Sequence, residues 1–415
     1  MRMNKKKEIF PQLRFGGYKS KWIIDSFDFE FLQTNSFSRV EMDDEKGNVK
    51  NIHYGDILTK YNDILRDISV VPFVNKNIDL SKFREESYLK NGDIVIADTA
   101  EDFTAGKAVE VLNVDFPVLA GQHTFLCRPK IKFAPGFMGY YLNSPSYHNR
   151  LIPLLTGTKV YSISKANIKS TFVLYPENYE EQQKIADCLS SIDELIDAEN
   201  RKLKALEKYK KGLMQKLFPA EGKTLPEWRF PEFSNGDEWT NASLSKICVM
   251  QAGKFINASE ISNEQKNNMY PCYGGNGLRG YTLTHNCSGD YPLIGRQGAL
   301  CGNVTFATGD FYATEHAIVV TANQNIDEKW LYYLLDYLQL NQYATGQAQP
   351  GLSVQTLEKV TAIYPGEVEE QKKIANCLSE VDTMIEEQSN KVEQLKAHKK
   401  GLMQGLFPSL KEVDV

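Results

Sequence analysis

Two stretches of this chain are near-copies of each other, and that duplication limits the fold more than any other feature. Residues 175–219 read YPENYEEQQKIADCLSSIDELIDAENRKLKALEKYKKGLMQKLFP, and residues 364–408 read YPGEVEEQKKIANCLSEVDTMIEEQSNKVEQLKAHKKGLMQGLFP. They lie 189 residues apart, align without a gap and agree at 24 of 45 positions. A period that long, present twice, is the duplication of a whole module rather than the short repeat of a solenoid. Apolar residues recur at 4-3-4 spacing at Ile185, Leu189, Ile192, Ile196, Leu203, Leu206, Leu213 and Leu217. The second copy answers with Ile374, Leu378, Val381, Ile385, Val392, Leu395, Leu402 and Leu406. This is the seam of a long helix that wants a partner along its length. Glu199 and Gln388, then Lys210 and Lys399, interrupt both seams at matching places. Polar seam residues weaken pairing but fix register, so the copies are expected to pack on each other.

The ends of the pattern carry their own signals. Asn178 and Glu181 are spaced as a capping box, whereas Glu367 replaces the asparagine in the second copy. Acids open each helix (Glu180, Glu181; Glu369, Glu370) and lysines stand toward its end (Lys210, Lys211; Lys399, Lys400), a favourable arrangement against the helix dipole. Phe-Pro at 218–219 and 407–408 stops both helices. Gly212 and Gly401 each cost about 1 kcal/mol relative to Ala inside a helix; close helix crossing or a kink near the end would account for them. About 38 residues at 1.5 Å each make a rod of roughly 57 Å. One turn of DNA is about 34–36 Å, so such a rod is long enough to hold apart two modules on a duplex. The heptads alone are equally compatible with a dimerisation coiled coil.

The intervening regions are different in kind. Both are rich in aromatics, glycines and short β-branched runs such as Asn91–Ala97 and Ala317–Thr321, which read as strands and turns of a mixed α+β module. Landmarks recur between them in order. Pro11-Gln-Leu-Arg-Phe15 answers Pro226-Glu-Trp-Arg-Phe230, each followed by a tryptophan, Trp22 or Trp239. Gly92-Asp93 answers Gly289-Asp290, His123 answers His316, and Tyr140-Tyr-Leu142 answers Tyr332-Tyr-Leu334. Thr156-Gly157 and Ser164 answer Thr345-Gly346 and Ser353. A shared framework with divergent loops is the ordinary pattern of a binding module. Module–helix–module–helix suits a bipartite target with two unlike halves.

Composition neither leads to this reading nor blocks it. The net charge of −5 counts against nucleic-acid binding unless basic residues share one face or partners supply the phosphate grip. Seven cysteines without a CxxC pair argue against a disulfide framework and a zinc ribbon, and the Cys272, His285, Cys287, Cys301 spacing fits no common metal pattern. No apolar run is long enough to span a membrane, and the N-terminal stretch lacks a signal-peptide core, so a cytoplasmic protein is expected. Its basic run reads as a solvated, frayed terminus. Gly275-x-Gly277-x-x-Gly280 lacks the strand and helix of a dinucleotide site and reads as a tight glycine loop. There is no P-loop, HExxH, GxSxG or aromatic-proline tetrapeptide of an amino-methylating enzyme. His123 and His316 read as hydrogen-bonding rather than catalytic.

The module order, the EEQxKIA…LMQxLFP helices, and Tyr273-Gly-Gly-Asn-Gly-Leu-Arg-Gly-Tyr281 followed by Leu293-Ile-Gly-Arg-Gln-Gly298 resemble type I restriction–modification specificity subunits. The likeness covers essentially the whole chain; Asn51–Lys60 shows it less specifically. It implies an α+β fold in which two mixed α/β target-recognition domains are separated by two long antiparallel coiled-coil helices with pseudo-two-fold arrangement. The expected boundaries are 1–175 and 220–364 for the domains, 176–219 and 365–415 for the helices and tail. It further implies a non-catalytic subunit that binds double-stranded DNA, each domain reading half of an asymmetric site. Two methyltransferase subunits and two restriction/translocase subunits would be its partners. No cofactor is expected on this chain; S-adenosylmethionine, ATP and magnesium would serve the partner subunits. Arginine reads guanine and asparagine or glutamine reads adenine in the major groove, which singles out Asn276, Arg279, Arg296, Gln297, Gln347 and Gln349 in the second domain. The matching candidates in the first are Lys60, Lys159, Tyr161 and Ser162, with lysines mainly placing phosphates. An ordinary polar surface loop is the alternative at each position, and a coiled-coil adaptor that binds proteins without DNA specificity is the alternative for the chain.

Overall fold

The computed structural model of the protein describes residues 9–43, 45–298, 300–346 and 350–409. The basic N-terminal run, Gln347 and Gln349 lie outside them. The seam positions fold as two helices of 39 residues each, Tyr179–Leu217 and Val368–Leu406. By internal contacts the chain divides into Met1–Asn200 with Lys391–Val415 (the first unit) and Arg201–Asn390 (the second). Each unit therefore contains a segment of both long helices.

The first unit is built around the strand Asp93–Ala97, buried along its whole length. Side chains alternate across a strand: Ile94 and Ile96 enter the core that holds the long helices, while Val95 and Ala97 enter a second core with Ile52, Ile57 and Val118. Two buried faces explain why this run reads as continuously apolar. The strand lies at the centre of a five-stranded sheet, between Thr124–Pro129 and Ala108–Val111, with Phe29–Leu32 and Ile64–Leu65 at the edges. A four-stranded sheet, Val118–Ala120, Lys50–Ile52, Phe73–Val74 and Met42–Asp43, builds the second core. Trp22–Ser26 pairs antiparallel with Phe172–Pro176, so the unit's first and last strands close on each other just before the long helix.

Glu110, on the strand Ala108–Val111 of the five-stranded sheet, caps the helix Phe137–Asn143, its carboxylate accepting from Gly136 N at 2.7 Å and Gly139 N at 2.8 Å. Burial pushes its carboxyl up to about 7, against the pull of those two N–H groups. The folded form then holds a proton that the unfolded chain releases near 4.5. Stability from this group is present at low pH and falls as pH rises from about 4.5 to about 7. Urea titrations should therefore show Glu110→Gln gaining on the wild type by about 3 kcal/mol between pH 4.5 and 8. A pH-independent difference would contradict that assignment.

The second unit has the sheet Cys248–Ala252, Ala317–Ala322, Tyr291–Gly295, Val304–Ala307, all antiparallel neighbours. Gly277–Thr282, Tyr270–Gly274, Asp310–Ala313 and Cys287–Ser288 form its other sheet. Its first and last strands, Thr240–Ser243 and Thr361–Tyr364, again pair antiparallel. The helix Glu328–Tyr337 starts at Asp327, whose side chain accepts from Trp330 N, and buries Trp330, Tyr333 and Leu334.

Within each unit the long-helix segments pair antiparallel. In the first, Lys391 Nζ meets Glu199 at 2.6 Å and Lys399 Nζ meets Asp193 at 2.6 Å. Ile185, Ala186 and Leu189 share its core with Met403, Leu406 and Phe407. In the second, Lys210 meets Asp382 at 2.7 Å, and Leu213, Met214 and Leu217 share the core with Ile374, Ala375, Leu378 and Val381. None of the sixteen seam residues is exposed: Ile192, Leu203, Leu206, Ile385, Leu395 and Leu402 are half-buried and the other ten buried.

The repeated EEQ tripeptide has a plain physical role. Glu181 takes a bidentate pair from Arg14 at 2.7 and 2.8 Å, and Glu370 takes one from Arg229 at 2.7 Å on both oxygens. The next residue, Gln182 or Gln371, donates to the carbonyl of the proline that precedes the helix, Pro176 or Pro365, at 2.9 Å. Its carbonyl accepts from Ala134 N or Asp327 N. These side chains weld each module to the start of its own helix.

Four expectations are corrected. Asn178 does cap Glu181 N at 3.0 Å, but the Glu181 carboxylate is engaged by Arg14, so the reciprocal half of the capping box is not made. Lys210 and Lys399 serve cross-helix ion pairs rather than the helix dipole. A Cβ on Gly212 or Gly401 would meet nothing within 4 Å, which rules out close crossing within this chain. Gly212→Ala and Gly401→Ala should each stabilise the protein by about 1 kcal/mol, read as a raised urea midpoint; a loss would show a constraint at these positions. Finally, Tyr140 donates to Asp193 at 2.8 Å and Tyr333 to Asp382 at 2.7 Å. The true counterpart of Tyr140 is thus Tyr333, one residue beyond the match suggested by the Tyr-Tyr-Leu landmark. Phe137 and Trp330, packed on Phe407 and Phe218, keep that same register.

Candidate nucleic-acid interface

Three segments converge in each unit where the central strand ends. In the first, Thr156 N donates to Ser162 O at 2.9 Å and Ser162 N to Thr156 O at 2.8 Å, closing a loop over residues 157–161. In the second, Thr345 and Gly351 exchange the same two bonds at 2.9 Å. Gly157 and Gly346 have φ of 117° and 98°, and a Cβ at Gly157 would strike Val160 O. Only glycine fits such a turn comfortably, which is why Thr-Gly recurs, whereas the sequences that follow it, residues 158–161 and 347–350, share no identity.

The strand end supplies the second segment. In the first unit Tyr161–Ser162 pairs with Thr99–Ala100, and the Tyr161 ring packs on Phe103, centroids 4.8 Å apart. In the second, Gln297 bridges Gly351. The third segment holds the histidines. His123, at φ 54°, contacts Asp98 Oδ1 through Nδ1 at 3.2 Å and packs edge-on to Tyr54. His316 pairs through Nε2 with Glu315 at 3.2 Å. Both rings are nearly half exposed. Each has a carboxylate partner, as a hydrogen-bonding histidine should.

The second unit adds a hairpin. Tyr270–Gly274 and Gly277–Thr282 pair through Gly274 and Gly277, so the suspected glycine motif is a β-turn. Gly277 has φ 80°, and a Cβ on Gly295 would lie 2.1 Å from Gly275 O, showing how closely the hairpin rests on the central strand. Asn276, Arg279, Gln297 and His316 line one open cavity of about 610 Å³ with the exposed apolar side chains Leu278 and Leu300. Arg296 adjoins it, and its guanidinium makes no ion pair or hydrogen bond among the described residues.

The structure therefore gathers Asn276, Arg279, Arg296 and Gln297, and separately Lys159, Tyr161 and Ser162. It does not bring Lys60 to them. Lys60 ends the helix Tyr54–Thr59 and pairs at 3.1 Å with Asp56, a fully buried carboxylate that Arg39 also engages. It lines a cavity of about 330 Å³ with Arg66, Tyr140 and Asp193 of the first unit. The Asp56–Lys60 spacing of four was the available signal. Asp98, Thr99 and Tyr54 escaped sequence reasoning. Among the described residues no group of His, Cys, Asp and Glu gathers as metal ligands would, and no helix is long and apolar enough to cross a membrane. Chemically, the two loop clusters offer forks, amides and carboxylates for hydrogen bonding to flat, polar edges.

Residues 29–208 and 236–397 match the model of the type I restriction modification DNA specificity domain. The type I restriction enzyme EcoprrI specificity subunit of Escherichia coli is 44% identical over 148 residues, 35% of this chain and 37% of that protein. The MjaVIII specificity subunit of Methanocaldococcus jannaschii is 26% identical over 275 residues, 60% of this chain and 64% of that one. These two alignments thus span about a third and just under two thirds of the relatives' own lengths. A crystal structure of a type I restriction–modification S subunit from M. genitalium is 19% identical, with a TM-score of 0.61 over 97% of this chain and all of that one, and shares its fold.

Proposed function

Because the chain belongs to the type I restriction–modification DNA specificity family, we propose that it is the non-catalytic subunit that reads a split, asymmetric duplex sequence, one half per unit. The observation that carries this reading is the same pair of closing backbone bonds in both units, with unrelated sequences between the closing residues. Modules closed by equivalent bonds are oriented alike on a duplex, and different side chains take different bases. In the second unit Arg279 and Arg296 offer forks to guanine, and Asn276 and Gln297 offer amides to adenine. In the first, Tyr161 and Ser162 offer hydroxyls from the repeated loop, and Lys159 holds phosphate. The long helices set the number of base pairs between the halves and dock two methyltransferase subunits, to which two restriction/translocase subunits attach. S-adenosylmethionine, ATP and magnesium act on those partners, and the assembly works in the cytoplasm. The net charge of −5 fits a reader whose partners supply much of the phosphate grip.

Gel shift with the methyltransferase partner tests the proposal. A salt-sensitive complex restricted to a subset of duplex sequences is expected. Partner binding with no dependence on DNA would make the chain a protein adaptor instead.

A further inference from the structure

Asp98 and Arg296 follow the central strands Asp93–Ala97 and Tyr291–Gly295. Asp98 N donates to His123 O at 3.0 Å, and Arg296 N to His316 O at 2.8 Å. Ile163 N donates to Asp98 O at 2.9 Å, and Leu352 N to Arg296 O at 2.9 Å. The following residues, Thr99 and Gln297, pair with Ser162 and Gly351, themselves equivalent in the repeated loop. With N–H and C=O both fixed by equivalent partners, the two Cα atoms occupy one position in the module, at the edge of the loop cluster. Unequal loop lengths hide this: Asp98 and Arg296 are 198 residues apart, whereas the histidines are 193 apart and the loops 189.

The side chains at this position carry opposite charge, and neither is neutralised by a salt bridge to a strong ion. The Arg296 guanidinium has no partner among the described residues, and Asp98 has only the His123 ring. Resting on the reading of the units as DNA-reading modules, we propose that this is one shared base-reading position and that its charge sets which edge each module accepts. Arg296 takes a guanine, through O6 and N7; Asp98 takes a base that presents an exocyclic amine in the major groove, cytosine N4 or adenine N6. A carboxylate beside phosphates is repelled, so Asp98 is useful only as a discriminator, rejecting bases that present oxygen there. His123, bonded to the other side of the carboxylate, holds it in place.

The test uses the complex assembled with its methyltransferase subunits and a duplex pool with both half-sites randomised, reading the bound and methylated sequences. The wild type should require guanine at one position of one half and cytosine or adenine at one position of the other. Arg296→Gln should cut the guanine preference about ten- to hundred-fold at that base pair alone. Asp98→Asn should relax one base pair of the opposite half, and Asp98→Arg should convert it to guanine. Which amine-bearing base the wild type selects distinguishes cytosine from adenine. Preferences unchanged in the variants, within a site that remains bipartite, would overturn the inference while leaving the proposed function standing. A wild-type complex with no bipartite preference would instead defeat that function. Should an Asp98 variant fail to fold, Arg296→Gln decides alone, because that guanidinium makes no hydrogen bond or ion pair among the described residues.

Discussion

Lys399→Met is expected to cost about 3–5 kcal/mol of stability, the loss typical of removing one partner from a buried ionic cluster. Lys399 Nζ lies 2.6 Å from both Asp63 and Asp193 and over the Tyr140 ring at 5.1 Å, with all three charged side chains largely buried. Burial already lifts the Asp63 carboxyl above its usual range, and the lysine is what opposes that shift. Without it, two acids face each other inside the first unit. Adding Asp63→Asn and Asp193→Asn to the same chain should recover much of the loss, since the uncompensated charge is then gone. Lys210→Met should cost less, because its ion-pair partner Asp382 is about one-third exposed. Urea unfolding followed by circular dichroism measures all four proteins. Equal, small losses at Lys399 and Lys210 would show that the cluster does not hold the first unit together.

Trp330→Ala should be comparably damaging, about 3–5 kcal/mol, because it empties a fully buried site against Phe218. Trp330→Phe should be far milder. The equivalent site in the first unit is filled by Phe137, and the Trp330 indole N–H has no hydrogen-bond partner among the described residues. Phenylalanine therefore removes an unpaired buried donor while keeping a ring. If Trp330→Phe destabilised as much as Trp330→Ala, the equivalence of the two positions would be wrong.

These two sites also show where the sequence was legible. Lys210 and Lys399 were visible as matched interruptions of a heptad, and their role in register followed from periodicity. Their partners did not, because Asp63 belongs to a strand-rich region more than three hundred residues from Lys399. The long helices could be read because a helical face repeats within a few residues. The modules resisted because their order depends on long-range strand pairing such as Trp22–Ser26 with Phe172–Pro176. The Tyr-Tyr-Leu landmark was misaligned by one residue for a related reason. Identity matched the letters, whereas packing aligns Phe137 with Trp330, two different letters of one shape and chemistry. At the candidate interface, residue type singles out Arg296 and Gln297, which the structure brings together, and also Lys60, which it places apart from them beside Asp56. It passed over Asp98, whose place becomes visible only through the backbone bonds that align it with Arg296.

The most direct measurement is to exchange residues 220–363 for the corresponding segment of another family member and map the methylated sites genome-wide. Independent reading by two modules on a shared pair of helices predicts that one half of the site changes while the other half and the gap between them persist. A change in both halves, or in neither, would contradict it.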